Sequence, residues 1–237
     1  MAYIVMAAFV AGFVQSVTGF GAGIVIMMVL PYFYTLAQSS TANNSITLLL
    51  NLAIVLQFRK YINWKKIVWP SIIATVSSFI SIQFYDFLPI RTMKMIFAAF
   101  MCILAIYFLA FKNVKLKDNV ATMIVCSLLS GFGNGLFGIG GPPMVLYILA
   151  ITDKKEEYIG SLQAVFLFNS IFVTALKWMH GYAGKELFVP ILCGILSIII
   201  GQKVGSLFLN KISSERMKKY IYILMAVTAL VQLIQCL

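Results

Sequence analysis

Two glycine-rich stretches in an otherwise apolar chain hold the residues best suited to bind a ligand. The sequence GFGNGLFGIGGPP at 131–143 places six glycines and two prolines within thirteen residues. A helix interior loses about 1 kcal/mol for each glycine and about 3 kcal/mol for each proline, so this stretch predicts a helix break. The sequence GFVQSVTGFGAG at 12–23 carries a similar cluster. Main-chain N–H groups at the start of a renewed helix attract anions. We therefore expect unpaired N–H groups to point into a cavity at Gly21, Ala22, Gly23, Gly140 and Gly141.

The composition indicates an integral membrane protein. Of the 237 residues, 62% are hydrophobic and 11% are charged, whereas soluble domains carry about 25% charged residues. The mean hydropathy is +0.98. Because a membrane-spanning helix needs about 20 apolar residues, the long apolar blocks predict an all-α membrane protein. These blocks lie at about residues 3–33, 41–58, 67–84, 95–111, 120–151, 158–176, 187–207 and 220–236.

The chain reads as a duplication of four apolar blocks. A shift of 119 residues superimposes Gly12 on Gly131, and Gly19 on Gly138. The predicted repeats are 1–118 and 119–237, joined by the polar linker 112–119, and together they form a single transport domain. The first block of each repeat is too long for one straight span and has its glycines in the middle. We therefore expect a broken helical hairpin there, re-entrant or V-shaped.

The basic residues of the loops favour these hairpins. If every block crosses the membrane once, the 18 Lys and Arg residues divide into nine on each side. If the first and fifth blocks enter and return, the division becomes 14 against 4. Cytoplasmic loops are enriched in Lys and Arg, so we favour the second topology, with both termini outside. Each half then crosses three times, and the two repeats are inverted.

Inverted repeats with interrupted helices are typical of transporters that bind substrate near the membrane midplane. All seven acidic residues fall in predicted loops, although a cation or proton pathway normally has an ionisable group in a span. We therefore predict a site for a small anion, built from the glycine breaks and neutral polar side chains of the second helix in each half. The candidates are Gly19, Phe20, Gly21, Ala22, Gly23, Asn44, Asn51, Gly138, Ile139, Gly140, Gly141, Pro142, Gln163 and Asn169, with Gln15, Asn134, Thr47 and Ser170 as secondary candidates.

Each of these features has a structural alternative. Polar side chains in membrane helices often form interhelical hydrogen bonds, and glycines spaced by four allow close helix packing. The second alternative applies to Gly131 with Gly135, and it is our preferred interpretation for Gly201 with Gly205. For Lys177 and Lys203 we expect ammonium groups that extend to the membrane interface. The alternative for each is a charge that draws anions towards a vestibule.

The paired glycine motifs resemble those of the TauE/SafE sulfite exporter family of membrane transporters. The resemblance covers the whole chain in length, block number and duplication, and the second motif is the more specific. It implies transport of sulfite or an organosulfonate across a bacterial cytoplasmic membrane. The first motif has Ala22-Gly23 where the second has Gly141-Pro142, so the two turns need not contact the substrate in the same way.

The resulting hypothesis is a multi-pass transporter of a small anion, embedded in the lipid bilayer. An anion channel is the nearest alternative, and an intramembrane enzyme is the alternative from another class. The enzyme is poorly supported because the single histidine, His180, lies in a loop with no buried acid beside it. We expect no cofactor, no metal and no nucleic-acid partner.

Overall fold

The computed structural model describes residues 2–110, 116–208, 223, 226–231 and 234, with the side chains of 107–110 excepted. The eighth predicted block, at 220–236, and part of the linker therefore lie mostly outside the described residues. Within the described part of the chain the fold is entirely helical, as predicted. Its α-helices are α1 (Ala2–Thr18), α2 (Ala22–Val29), α3 (Leu36–Phe58), α4 (Trp64–Ile82), α5 (Phe84–Phe87), α6 (Ile90–Ala110), α7 (Val120–Phe137), α8 (Gly141–Ile151), α9 (Lys155–Met179) and α10 (Phe188–Leu207).

Among the described residues, five stretches are long and apolar enough to cross a membrane. They are Leu36–Tyr61, Trp64–Phe87, Val120–Phe137, Lys155–Met179 and Lys185–Leu207. Shorter apolar helices cover Ala2–Thr18, Ala22–Tyr32 and Gly141–Ile151. Large apolar side chains such as Phe79 and Leu196 are more than half exposed on the outer faces. Such surfaces suit contact with lipid, because soluble proteins rarely expose large apolar patches.

Both glycine clusters interrupt a helix. The first break separates α1 from α2, and there Gly19 and Gly21 have φ angles of 82° and 101°. The second separates α7 from α8, and there Gly138 has a φ angle of 67°. Positive φ angles are strained for residues with a Cβ atom. Helix α8 then starts with proline in its first turn, where the missing N–H group is tolerated.

After each break the chain folds back on the helix it has left. Helix α1 packs against α2, and α7 packs against α8. The ring of Tyr3, near the start of α1, stacks on the ring of Phe33 with the centroids 3.9 Å apart. The beginning and the end of the first apolar block therefore lie side by side.

Contacts between the two halves follow a reciprocal pattern. Helix α1 packs against α10, and its counterpart α7 packs against α4, the counterpart of α10. Helices α3 and α9 contact each other at the centre, and each also contacts the third-block helix of the other half, α10 and α4 respectively. Exchange of the two halves leaves this set of contacts unchanged.

Glycines make the two outer crossings close. A Cβ atom on Gly12 would overlap the Ile198 carbonyl oxygen, and one on Gly131 would overlap the Ala74 carbonyl oxygen. Gly201 meets the backbone of Phe9 in the same way. The packing interpretation therefore applies to Gly131 as well as to Gly201, and the break of the second motif begins only at Gly138.

Candidate functional site

The two helix breaks face each other across a small polar cavity of about 60 Å³. A single buried water needs roughly 10–15 Å³ of such space, so the cavity can hold a small ion. Drug-sized ligands occupy pockets of roughly 300–1,000 Å³. The cavity is lined by Gln15, Phe20, Gly21, Gly23, Ile24, Thr47, Asn51, Ser130, Asn134, Gly138, Ile139, Gly140, Gly141, Val165, Phe166, Asn169 and Ser170.

Most of the sequence-predicted residues meet at this cavity, including all four secondary candidates. Five predicted residues lie outside its lining, namely Gly19, Ala22, Asn44, Pro142 and Gln163. Four lining residues, Ile24, Ser130, Val165 and Phe166, were not predicted. Three of these four are apolar, and in an apolar chain such residues give no local signal that distinguishes them from lipid-facing neighbours.

The first break is held by two glutamine side chains. The Gln163 side-chain amide donates to the carbonyl oxygen of Gly19 at 3.1 Å and accepts from Gln15 Nε2 at 3.3 Å. Gln15 Oε1 in turn accepts a hydrogen bond from the N–H of Ala22 at 3.2 Å. The expectation of an unpaired N–H at Ala22 is therefore wrong. Gln163 instead positions the turn from the opposite half of the chain.

The second break is held in the same manner from the other half. Asn43 Nδ2 on α3 donates to the carbonyl oxygens of Gly138 at 2.9 Å and Gly23 at 3.3 Å. One side chain thus bridges both breaks. Sequence reasoning selected Asn44 instead, although Asn43, Thr47 and Asn51 also repeat every four residues along one helix face.

Asn44 lies beside the same turn with an unused donor. Its side chain is 1% exposed, and a Cβ atom on Gly138 would lie 3.0 Å from its Oδ1 atom. Within the described part of the chain, Asn44 Nδ2 has no hydrogen-bond partner. A buried donor without a partner costs about 1–3 kcal/mol, so a ligand atom or a water that accepts from it would be favoured.

A chain of polar side chains ties the cavity wall to α4. Asn134 Nδ2 donates to Asn169 Oδ1 at 3.0 Å, and Asn169 Nδ2 donates to Ser78 Oγ at 3.1 Å. Ser78 Oγ also donates to the carbonyl oxygen of Gly131 at 2.7 Å. Ser78 was not selected from the sequence, because it is one of several serines in α4 and that helix contains no amide side chain. These bonds fix the orientation of two amides that line the cavity.

Helices α2 and α8 begin at the cavity. Their N-caps, Gly21 and Gly140, have no side chain to bond the first-turn N–H groups, and both glycines line the cavity. The lining carries no charged side chain. The partial positive charge of the two helix ends therefore acts on a neutral polar cavity.

Lys177 is the exception to the neutral surroundings. Its side chain is fully buried, so the expectation that it reaches the membrane interface is wrong. The Lys177 ammonium donates to Ser40 Oγ and lies 3.5 Å from the carbonyl oxygen of Asn134. Lys177 faces inward, towards Ser40 on α3 and Asn134 on α7, the two helices that pack against α9 there.

The described residues contain no group of three or more His, Cys, Asp or Glu side chains that could hold a metal. The cysteines among them, Cys102, Cys126 and Cys193, are free.

A multi-pass helical membrane protein with a small polar cavity between two broken helices has the form of a membrane transporter. Comparison of the sequence with protein families agrees, because the sulfite exporter TauE/SafE family matches residues 4–231. The chain belongs to that family. It is also 25% identical to a probable membrane transporter protein of Methanocaldococcus jannaschii, over 98% of this chain and 94% of that protein. No solved structure matches the chain. The family is one of transporters and not of enzymes.

Proposed function

We propose that the protein carries a small sulfur oxyanion, sulfite or an organosulfonate, through the cavity between the two breaks. The observation that carries the proposal is the meeting of two helix N-termini, each with a glycine as its N-cap, at one cavity without a charged lining. Such helix ends bind anions through their N–H groups and their dipoles. Membership of a sulfite exporter family supports sulfur oxyanions as the substrate class.

Neutral side chains complete the proposed site. The amide-bearing residues Gln15, Asn51, Asn134 and Asn169 line the cavity. Amide N–H groups can donate hydrogen bonds to oxyanion oxygens. Asn43 and Gln163 act one step away, because they hold the glycine carbonyls and so keep the turns open. Irregular backbone at this depth is tolerated where it lines such a cavity.

The proposal includes two inverted repeats, 1–118 and 119–237, whose first blocks return to the side from which they entered. Two contacts between the ends of the apolar blocks support it. Lys66 and Glu157 form an ion pair at 3.4 Å, and Tyr182 donates to Asp86 at 2.8 Å. Each contact joins two block ends that the hairpin topology puts on the same side of the membrane. A topology in which every block crosses once would separate both pairs.

Labelling of single cysteines from one side of the membrane tests this topology. Lys60 lies between α3 and α4, and Lys185 lies just before α10; both are exposed. In a cysteine-free background, we expect K60C to react only from the cytoplasmic side and K185C only from outside. Single crossings would place both on one side, so equal labelling of the two by an impermeant maleimide would contradict the inverted repeats.

Alternating access then follows from a rocking motion of the two halves about the breaks. Inverted-repeat transporters commonly move one bundle against the other around a fixed site. Here Asn43 and Gln163 each hold the break of the opposite half. During such a motion these two hydrogen bonds must either stay intact or be replaced by hydrogen bonds to other partners.

Counterflow in proteoliposomes tests the substrate class. Vesicles loaded with unlabelled sulfite or methanesulfonate should accumulate the labelled anion transiently and saturably, while protein-free vesicles and a cation substrate show no uptake. Accumulation arises because a carrier exchanges substrate faster than the internal pool drains. Anion conductance that does not saturate would favour the channel alternative. Absence of anion flux alongside cation flux would contradict the proposal.

A further inference from the structure

Lys177 places a buried amine directly behind the cavity. Its side chain is 0% exposed, and its Nζ atom contacts Ser40 Oγ on α3 and the Asn134 carbonyl oxygen on α7. The side chain of the same Asn134 lines the cavity. Asn134 therefore stands between the Lys177 amine and the cavity in which we place the anion.

No acid compensates the amine within the described part of the chain. The ion pairs recorded there join Lys66 to Glu157 and His180 to Asp86, and neither involves Lys177. Helix α7 presents main-chain carbonyls and α3 presents a hydroxyl. Burial of an unpaired ammonium costs several kcal/mol, and carbonyl oxygens at a helix C-terminus offset only part of this cost. The protonated form of Lys177 therefore has no negatively charged partner among the described residues. An anion bound in the cavity would provide one.

Titratable groups also face Lys177 from α5 and from the loop that follows α9. The Tyr85 ring centroid is 6.0 Å from Lys177 Nζ, and the Tyr85 and Tyr182 ring centroids are 5.3 Å apart. Tyr182 in turn donates to the exposed carboxylate of Asp86, which lies 3.9 Å from His180 Nδ1. These side chains connect the amine to the protein surface.

We propose that Lys177 couples anion transport to protons: the amine takes up a proton from water when an anion occupies the cavity, and releases it when the anion leaves. The inference rests on the proposed function, because it needs an anion in the cavity. Attraction between the anion and the ammonium makes each bind better in the presence of the other, and such coupling is reciprocal. The pair crosses the membrane with less net charge than the anion alone.

The repeat supplies only one such amine. A shift of 119 residues places Lys177 on Phe58, which packs against Gly160. The equivalent residue of the first half is therefore apolar, and Lys177 is the single amine that the proposed coupling uses. We expect one proton to accompany each anion.

Anion binding to the purified full-length protein tests the coupling by titration calorimetry in buffers of different ionisation enthalpy. The probes are sulfite and methanesulfonate, because the charge of methanesulfonate does not change near neutral pH. The wild-type protein should take up about one proton per methanesulfonate and bind it roughly tenfold more tightly as the pH falls, a coupling within the usual 5–150-fold range. Sulfite itself gains or loses a proton near neutral pH. We therefore compare the proton uptake of the wild type with that of the variant, because the contribution of sulfite is the same in both.

Two variants separate a proton carrier from a fixed charge. K177R stays charged at all accessible pH values, so it should bind with high affinity and little pH dependence. K177Q should bind about tenfold more weakly, also without pH dependence. K155Q serves as the matched control, since Lys155 is an exposed residue at the other end of the same helix, and it should behave as wild type.

The outcomes distinguish the two proposals. Wild-type pH dependence retained in K177Q, or an equal loss of affinity at every pH, overturns the role of Lys177 and leaves anion transport intact. Absence of binding of either anion to the wild type contradicts the proposed function itself. If neither variant is monodisperse, calorimetry of the wild-type protein still tests the coupling. Binding of methanesulfonate without proton uptake rules the coupling out.

Discussion

Replacement of Gly138 by alanine is expected to reduce anion transport by at least about tenfold, whereas Gly19→Ala retains most of it. Both residues have positive φ angles, 67° and 82°, and a Cβ atom in this region costs roughly 1–2 kcal/mol. The two sites differ in the space around them. A Cβ atom on Gly138 would lie 2.8 Å from Asn43 Nδ2, whereas one on Gly19 would find its nearest neighbour, on Tyr158, at 3.8 Å.

The larger effect at Gly138 follows from the bond that is lost. Asn43 donates to the carbonyl oxygens of both Gly138 and Gly23, so displacement of its amide releases both breaks. Initial rates of sulfite counterflow measure the effect. Gly181→Ala is the matched control, because Gly181 has a φ angle of 73° and no atom within 4 Å of its added Cβ. A Gly138→Ala rate equal to that of Gly181→Ala would contradict the predicted role of the Asn43 amide in transport.

The helix breaks were predictable because their signals are local. Glycine and proline change the free energy of a helix wherever they stand, and the second cluster ends in Pro142-Pro143. The neutral polar residues of α3 and α9 were also visible, since few polar residues occur in such apolar blocks. The roles within these sets were harder to assign. Asn43 and Asn44 are adjacent in sequence, and only the position of Gly138 decides which amide reaches its carbonyl oxygen.

The position of Lys177 could not be predicted, because it depends on a contact between distant segments. From the sequence, the residue lies two positions before the end of α9, where long basic side chains usually reach the interface. Its burial requires that α7 end at the same depth and present the Asn134 carbonyl oxygen. That depth is set by the break at Gly138, which ends α7 inside the protein. The same break thus creates both the cavity and the pocket for the amine.

Close packing of the outer helices requires a very small residue at each helix crossing. The same requirement applies to both halves of the chain. Gly12 on α1 and Gly131 on α7 occupy equivalent positions, and each faces a backbone carbonyl of a third-block helix. A small residue at a helix crossing lets the two backbones approach and gain van der Waals contact. Both crossings join a helix of one half to a helix of the other half. They therefore keep the two breaks in fixed positions relative to each other.

Gly131→Ala should therefore destabilise the folded protein by about 1–3 kcal/mol, as overpacking typically does. The added Cβ atom would overlap the carbonyl oxygen, carbonyl carbon and Cα atom of Ala74, and a backbone cannot rotate away as a flexible side chain can. Helices α4 and α7 must then separate. We expect a lower melting temperature in detergent, measured by loss of the monodisperse peak in size-exclusion chromatography, and a similar decrease for Gly12→Ala.

Gly141→Ala provides the control for this prediction. A Cβ atom on Gly141 would meet its nearest neighbours, on Phe20 and Phe166, at 3.8 and 3.9 Å, which is ordinary contact. Its melting temperature should stay near that of the wild type, although the residue lines the cavity. A Gly131→Ala protein as stable as Gly141→Ala would mean that α4 and α7 can move apart freely. The other contacts between the halves would then have to keep the breaks together, chiefly α1 with α10, α3 with α9, α4 with α9 and α3 with α10.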